Sequence, residues 1–324
     1  MGVKSEGVIA GAWDRVPELA RYNALLHLVV LIWGFTGIFG RLISLDSVPL
    51  VFYRVSVAVP ALVLYFLVRG VSLRVDRSGL LRLSGIGLLV AIHWTLFFLA
   101  IKLSNVSVGL VCQSVAPFVT ALIEPIAFRR RVRPHELILG LAAAIGVGVI
   151  FRFETEYAAG IAVGLAAASI GALFVVMNGR LVERYDSQVI SFYELLSAWV
   201  GLLCAVLLLT DPMGTIPLPK ASDLAYLLLL GTVCTAFAFV SGTYVMRRLS
   251  PFTVILTTNL EPVYGIVLAL IVFRESELMS AGFYAGATVI LASIWVNAII
   301  VRRMTGPRGA GLHGESAARG KDAG

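Results

Sequence analysis

Ten long apolar runs, separated only by short polar connectors, fill the chain from Tyr22 to Arg303. A helix needs about 20 mostly apolar residues, rising 1.5 Å each, to cross the hydrocarbon layer of a bilayer. The runs predict spans at residues 23–43, 48–68, 83–101, 106–128, 135–151, 158–179, 188–209, 223–244, 252–273 and 279–301. Backbone groups in lipid must be satisfied within the protein, which leaves only helix bundles and closed barrels. The sequence contains no strand-length segments of alternating polarity, so an all-helical bundle is predicted.

Composition narrows this to an integral membrane protein. Of the 324 residues 59% are hydrophobic and 14% charged, with mean hydropathy +0.92; soluble domains are roughly half apolar and a quarter charged. The net charge of +7 does not point to nucleic acid, because the basic residues are dealt out among connectors and tails. Their order sets orientation, since Lys and Arg are retained on the cytoplasmic side. With the N-terminus inside, 20 of the 26 Lys and Arg fall in inside segments, including Arg129, Arg130, Arg131 and Arg133. Arg41, Lys102, Arg152, Lys220 and Arg274 fall outside, and Arg54 lies within a span. A multi-pass protein of the inner (plasma) membrane with both termini cytoplasmic is expected. Asp14, Arg15 and Glu18 precede the first run, so no cleaved signal peptide is expected. Cys112, Cys204 and Cys234 lie in apolar runs without a CxxC spacing and read as small apolar filler.

The two halves resemble each other. Ser47 to Arg54 (SVPLVFYR) opens the second span, and Ser187 to Glu194 (SQVISFYE) opens the seventh, 140 residues on. Lys102-Leu103-Ser104 precedes the fourth span and Arg248-Leu249-Ser250 the ninth, 146 apart; Pro117 and Pro262 are 145 apart. Five spans per copy is an odd number, so the copies cross the membrane in opposite senses. The expected fold is ten transmembrane helices arranged as a 5+5 inverted-topology repeat, an organisation common among secondary transporters. Residues 1–22 form a cytoplasmic N-terminal segment, 23–151 the first five-helix repeat and 152–303 the second; 304–324, rich in Gly, Arg and Ala, is a disordered cytoplasmic tail. Halves of opposite polarity can exchange conformations, converting an outward-open state into an inward-open one of comparable energy. A substrate site is then expected near the midplane, between the repeats.

These features resemble the EamA-type branch of the drug/metabolite transporter superfamily. The resemblance is carried by Trp33-Gly34-Phe35 with Gly37, by Arg54, and by Pro117-Phe-Val-Thr120-Ala-Leu. Leu260-Glu261-Pro262, Phe273-Arg274-Glu275 and Gly282-x-x-x-Gly286 add to it. It implies a central cavity built by helices one to four and six to nine, helices five and ten at the periphery, and export or exchange of small metabolites. One departure is Phe128-Arg129-Arg130-Arg131, where the family often has a Gly-Glu pair; it reads as a stronger cytoplasmic anchor.

Ionisable groups at membrane depth cost about 2.5–3.5 kcal/mol on insertion scales, which makes each a functional candidate. Glu261 lies about ten residues into the ninth span, beside Thr257, Thr258, Asn259 and Tyr264. Pro262 follows it and cannot supply the N–H that the Thr258 carbonyl would take. Glu261 either binds an amino group of the substrate or carries a coupling proton; a buried carboxylate bonded between helices is the structural alternative. From the other half, Gln113, Pro117 and Thr120 are expected on one helical face at i, i+4 and i+7, with Ser114 beside them. His93 is a proton relay, a substrate contact or a neutral core histidine. Trp33 and Trp94 form an aromatic wall or pack. Arg54, Glu194, Pro117 and Pro262 are gating or coupling candidates, with Arg54 nearer the outside and Glu194 nearer the inside, unpaired with each other. Glu124 is expected to pair locally with the Arg129–Arg131 run. Gly160-x-x-x-Gly164 and Gly282-x-x-x-Gly286 are seams for close helix contact, within a monomer in preference to a dimer.

The leading functional reading is a secondary transporter that moves a small polar metabolite, an amino acid or related compound first, in the export direction, with the proton as a candidate coupling ion. No metal or cofactor is implied. The sequence contains no GxxxxGK[ST], HExxH or GxSxG, which argues against ATP-driven transport and against an intramembrane enzyme. A channel or lipid scramblase would also need a polar interior.

Overall fold

The computed structural model describes residues 17–209, 217–274 and 279–305. The first 16 residues, Glu275 and the expected tail beyond Thr305 lie outside the described residues. The chain forms α1 (Glu18–Leu42), α2 (Ser47–Arg69), α3 (Arg77–Leu103), α4 (Val106–Ala127) and α5 (Pro134–Phe153). It continues through α6 (Ala158–Leu181), α7 (Ser187–Leu209), α8 (Ala221–Val245), α9 (Pro251–Phe273) and α10 (Ala281–Thr305). Helices α1 to α9 are each long and apolar enough to cross a membrane, and α10 is apolar over Ala281–Ser293. The outward faces carry large apolar side chains such as Leu67 (77% exposed), Ile126 (79%) and Leu208 (80%), the surface that lipid requires.

α1 and α3 begin earlier than hydropathy alone predicts, because polar first turns extend them beyond the apolar runs. At α3, Asp76 is the N-cap and accepts the Gly79 N–H, satisfying an otherwise orphaned donor.

Helix packing reveals the repeat. α1 packs on α8 and α9, and their counterparts α6 and α3, and α6 and α4, pack in the same combinations. α2·α8 is matched by α7·α3, while α2·α7, α4·α9 and α5·α10 each map onto themselves. Exchanging the first five helices with the last five therefore regenerates these pairings, as a two-fold relation between oppositely inserted halves demands, while the packing of α5 on α4 is particular to the first half. The caps obey it too: Asn105 Oδ1 accepts the Val108 N–H at 2.8 Å to start α4, and Ser250 Oγ accepts the Thr253 N–H at 3.2 Å to start α9.

α4 and α9 are interrupted at the same place in each half. Pro117 has no N–H to offer the Gln113 carbonyl, which takes the Ala116 N–H instead, and Gln113–Val115 tightens into a 3-10 turn. In α9 the helix breaks after Thr258, with Asn259 N–H reaching Leu256 O at 3.2 Å and Leu260 N–H reaching Thr257 O at 3.0 Å. Pro262 again leaves the carbonyl four residues back without its helical donor. α8 departs differently, widening into a π-helical segment at Thr232–Phe237.

The glycine seams lie inside the chain. Gly160 meets Ser104, Gly164 meets Cys112, and Gly146 and Gly286 face each other where the peripheral pair α5 and α10 cross. A Cβ on Gly146 would lie 2.8 Å from the Gly286 carbonyl oxygen. Gly146→Leu is therefore expected to destabilise the detergent-solubilised protein by about 1–3 kcal/mol, read as a lower melting temperature; an unchanged melting curve would rule out this contact.

Outside the spans, Ser78 Oγ at 2.5 Å and the Tyr185 hydroxyl donate to Asp76 and hold its carboxyl down at about 2. That contribution is complete above the unfolded value of 3.8 and is lost as pH falls through about 2. Tyr185→Phe should thus lower the melting temperature near neutral pH, with a penalty that shrinks on acidification; a penalty independent of pH would contradict the bond.

Candidate functional site: a cavity between the halves

A cavity lies about midway along the helices where the two halves meet. α6 presents Ala168, Gly171, Val175 and Asn178 to it, and α8 presents Phe239, Gly242 and Thr243. α1 contributes Trp33 and Thr36, α3 His93, Trp94 and Phe97, and α4 Gln113 and Ala116. α9 adds Val254, Ile255, Thr258 and Glu261, and α2 adds Arg54. Small residues admit the aromatic ones: a Cβ on Gly171 would lie 2.9 Å from the His93 ring, and one on Gly242 2.9 Å from the Trp33 indole.

Arg54 and Glu261 are the two formally charged groups on this wall. Arg54, 2% exposed, lies with its guanidinium carbon 4.0 Å over the Trp94 ring. Its Nε donates to Thr235 Oγ1 at 2.6 Å and its Nη2 to the Cys234 carbonyl at 3.4 Å. Both acceptors belong to the π-helical segment of α8, whose Thr235 hydroxyl donates in turn to Leu230 O at 2.6 Å. The widened turn thus offers Arg54 polar partners inside lipid. Glu261 opens the second half of α9, just past the break. Among the described residues its carboxylate has no hydrogen-bond partner, and it attracts Arg54 across the intervening space. His93 Nδ1 lies 2.8 Å from the Ala167 carbonyl, which assigns the proton to Nδ1 and leaves Nε2 as the acceptor. Gln113 Nε2 and Asn178 Oδ1 are buried without partners.

The cavity adjoins a vestibule at one end of the bundle. Met246 lines both, and Arg130, Arg133, Arg247 and Arg248 border the vestibule. In that wall Arg130 joins Glu124 at 3.1 Å and Glu136 at 2.6 Å, while Glu124 also accepts the Phe252 N–H at 2.7 Å. The local ion pair expected for Glu124 is therefore present, and it also ties α4 to the start of α9. The opposite end is closed. Lys102 Nζ donates to Ile43 O at 2.7 Å, and Phe98 fills the space beside Gly40.

Of the candidates from sequence, Glu261, Thr258, Gln113, His93, Trp94, Trp33 and Arg54 lie on the cavity wall. Thr120, Pro117, Asn259, Tyr264, Pro262 and Glu194 do not. The 3-10 turn breaks the helical register assumed for α4, so Ala116 follows Gln113 onto the wall, while the Pro117–Phe118 backbone packs against Gly140 and Thr120 is enclosed, 0% exposed. Tyr264 packs on Gly34, and Asn259 is 2% exposed behind the break. Glu194 is bonded to Asn178 behind the α6 wall. Sequence reasoning missed Asn178, Phe174, Thr243 and Phe239. A signal existed on α6, where Ala168, Gly171, Val175 and Asn178 recur at helical spacing.

The comparison with known proteins falls on the same two halves. The pattern of the EamA-like transporter family matches the chain twice, over residues 21–152 and 158–299. The chain belongs to this family. Curated relatives of this EamA-like chain include an uncharacterised transporter of Archaeoglobus fulgidus, 25% identical over 269 residues, covering 79% of this chain and 90% of its own length. The biotin transporter of Salmonella typhimurium is 26% identical over 295 residues, covering 89% and 95%. The biotin transporter of Escherichia coli K12 is 26% identical over 294 residues, covering 88% and 94%. A crystal structure superposes with TM-score 0.67 at 21% identity over 89% of this chain and 99% of that one, a likeness of fold. The EamA-like chain is a multi-pass membrane transporter.

Arg54→Lys keeps the charge of this transporter but loses the planar stack and the fork. It is expected to lower stability in detergent by about 1.5–3 kcal/mol, the range for hydrogen bonds to charged groups. A melting temperature equal to wild type would show that the π-helical segment does not depend on the guanidinium.

Proposed function

We propose that this chain is a secondary carrier for a small amphipathic metabolite, an amino acid with an apolar side chain being the class that uses every feature of the wall. One observation carries this: a single cation and a single carboxylate face an otherwise aromatic and small-residue cavity at mid-depth. Arg54, with the orphaned Gln113 Nε2, suits a substrate carboxylate. Glu261, lacking a protein donor, suits an ammonium group. The rings of Trp33, Trp94, Phe174 and Phe239 accept the apolar body. The repeat supports alternating access. The excess of Arg supports a cytoplasmic vestibule end, with both termini on that side of the inner (plasma) membrane. Loading from that side suits export. The closed seams support a monomer.

A second reading comes from the relatives named as biotin transporters: a monocarboxylate without an amino group would use Arg54 and the aromatic wall but not Glu261. Purified protein in liposomes decides. Saturable, stereoselective counterflow of a labelled amino acid is expected, and Glu261→Gln should weaken it tenfold or more, about 1.4 kcal/mol of lost recognition. Biotin counterflow that survives Glu261→Gln would favour the second reading, and flux that never saturates would favour a channel.

A further inference from the structure

Glu194 lies two turns into α7, 0% exposed and away from the walls of both the cavity and the vestibule. Its Oε2 accepts a hydrogen bond from Asn178 Nδ2 at 3.0 Å, while its Oε1 and the Asn178 Oδ1 have no partner among the described residues. Buried polar atoms are almost always paired, and here two acceptors are orphaned on two groups already joined. Flipping the amide does not help, because it only exchanges which atoms are left over.

Among the described residues no charged group pairs with the carboxyl. On α2, Arg54 faces the cavity, bonded to Thr235 and stacked on Trp94, and Tyr65 accepts from Gln188. On α3, His93 is turned to Ala167 and Arg82 is exposed. On α6, Arg180 is exposed; on α8, Cys234 donates to Ile32 O and Tyr244 bonds Tyr22.

A single proton resolves both defects. Bonded to Oε1, it cancels the negative charge and donates to Oδ1, while Nδ2–H continues to donate to Oε2. The result is a closed acid–amide ring with every acceptor used. We propose that Glu194, set behind the substrate cavity, and Asn178, on its wall, form a proton-binding site that couples proton movement to transport. The coupling half of this rests on the proposed carrier function. Asn178 is the hinge of the arrangement, because it lines the cavity while the adjacent Gly179 lines the vestibule. A substrate that bonds the Asn178 amide competes with Glu194 for it, so occupancy by substrate and by the proton are linked through this one side chain.

The site is tested without any substrate by pH-difference infrared spectroscopy on the purified full chain in detergent. A carboxylic-acid carbonyl band is expected that disappears in Glu194→Gln, remains in Glu261→Gln, and shifts in Asn178→Ala, where the acid survives but its partner does not. A wild-type spectrum without a band that Glu194→Gln removes overturns the proposal. If Glu194→Gln fails to fold, Asn178→Ala decides: a shifted band supports the ring and an unshifted spectrum refutes it. Coupling is read with an entrapped pH dye in liposomes during labelled amino acid counterflow. Proton movement lost in Glu194→Gln while counterflow persists supports it, and proton movement retained overturns it. Wild-type liposomes with the infrared band but no counterflow would fault the substrate assignment and leave the proton site standing.

Discussion

Hydrocarbon offers a helix no hydrogen-bond partners, so every departure from regular helix within the bundle must be answered by another part of the protein. The departures here gather around one space. α4 tightens at Gln113–Val115, α9 breaks after Thr258, and α8 widens at Thr232–Phe237, and each of these helices presents side chains to the cavity. The π-helical turn also shows how a buried cation is tolerated. It gives Arg54 a hydroxyl and a carbonyl, and Trp94 covers the guanidinium face. The polar interior thus follows from where the backbone is allowed to be irregular.

The repeat conserves these backbone devices and lets the side chains differ. At an offset of 145, Asn105 corresponds to Ser250, Gln113 to Thr258 and Pro117 to Pro262: a cap, a wall residue and a breaker in each half. The same offset pairs Ala116 with Glu261, both on the wall, so only one half supplies the carboxylate. Arg54 and Glu194 open equivalent helices, yet one faces the cavity and the other is sealed behind it. The halves thus share backbone geometry, while their unshared side chains supply the cation and the carboxylate of the chamber.

The architecture was legible because lipid imposes a length and a polarity on each span, and because proline and cap residues recur at nearly constant offset. The site was legible only in part. Glu261, Arg54 and His93 stand out as polar residues in apolar runs. Thr120 and Pro117 were misplaced because a continuous helix was assumed, and the 3-10 turn at Gln113 rotates the remainder of α4 about its axis. Phe174 and Phe239 had no distinguishing mark, since a face toward lipid and a face toward an aromatic cavity have the same hydropathy. Asn178 was visible as a polar residue, but its role depends on Glu194, which only the fold brings beside it.

Pseudo-symmetry also separates contacts that hold the halves together from contacts that can distinguish two states. Ser44 on Asp223 joins the α1–α2 connector to the start of α8 at the closed end. Its counterpart joins the α6–α7 connector to the start of α3 at the Arg-rich end, through Tyr185 on Asp76. Both are made at once, so neither can be the latch whose opening distinguishes the ends. Lys102 behaves differently. It ties α3 to the end of α1 at Ile43 O, whereas its counterpart Arg248 pairs with Glu18 at 2.8 Å and borders the vestibule. The difference between the two ends therefore resides in the ends of α3 and α8, beside α1. The matched connectors are common to both ends of the bundle, whereas these helix ends are not.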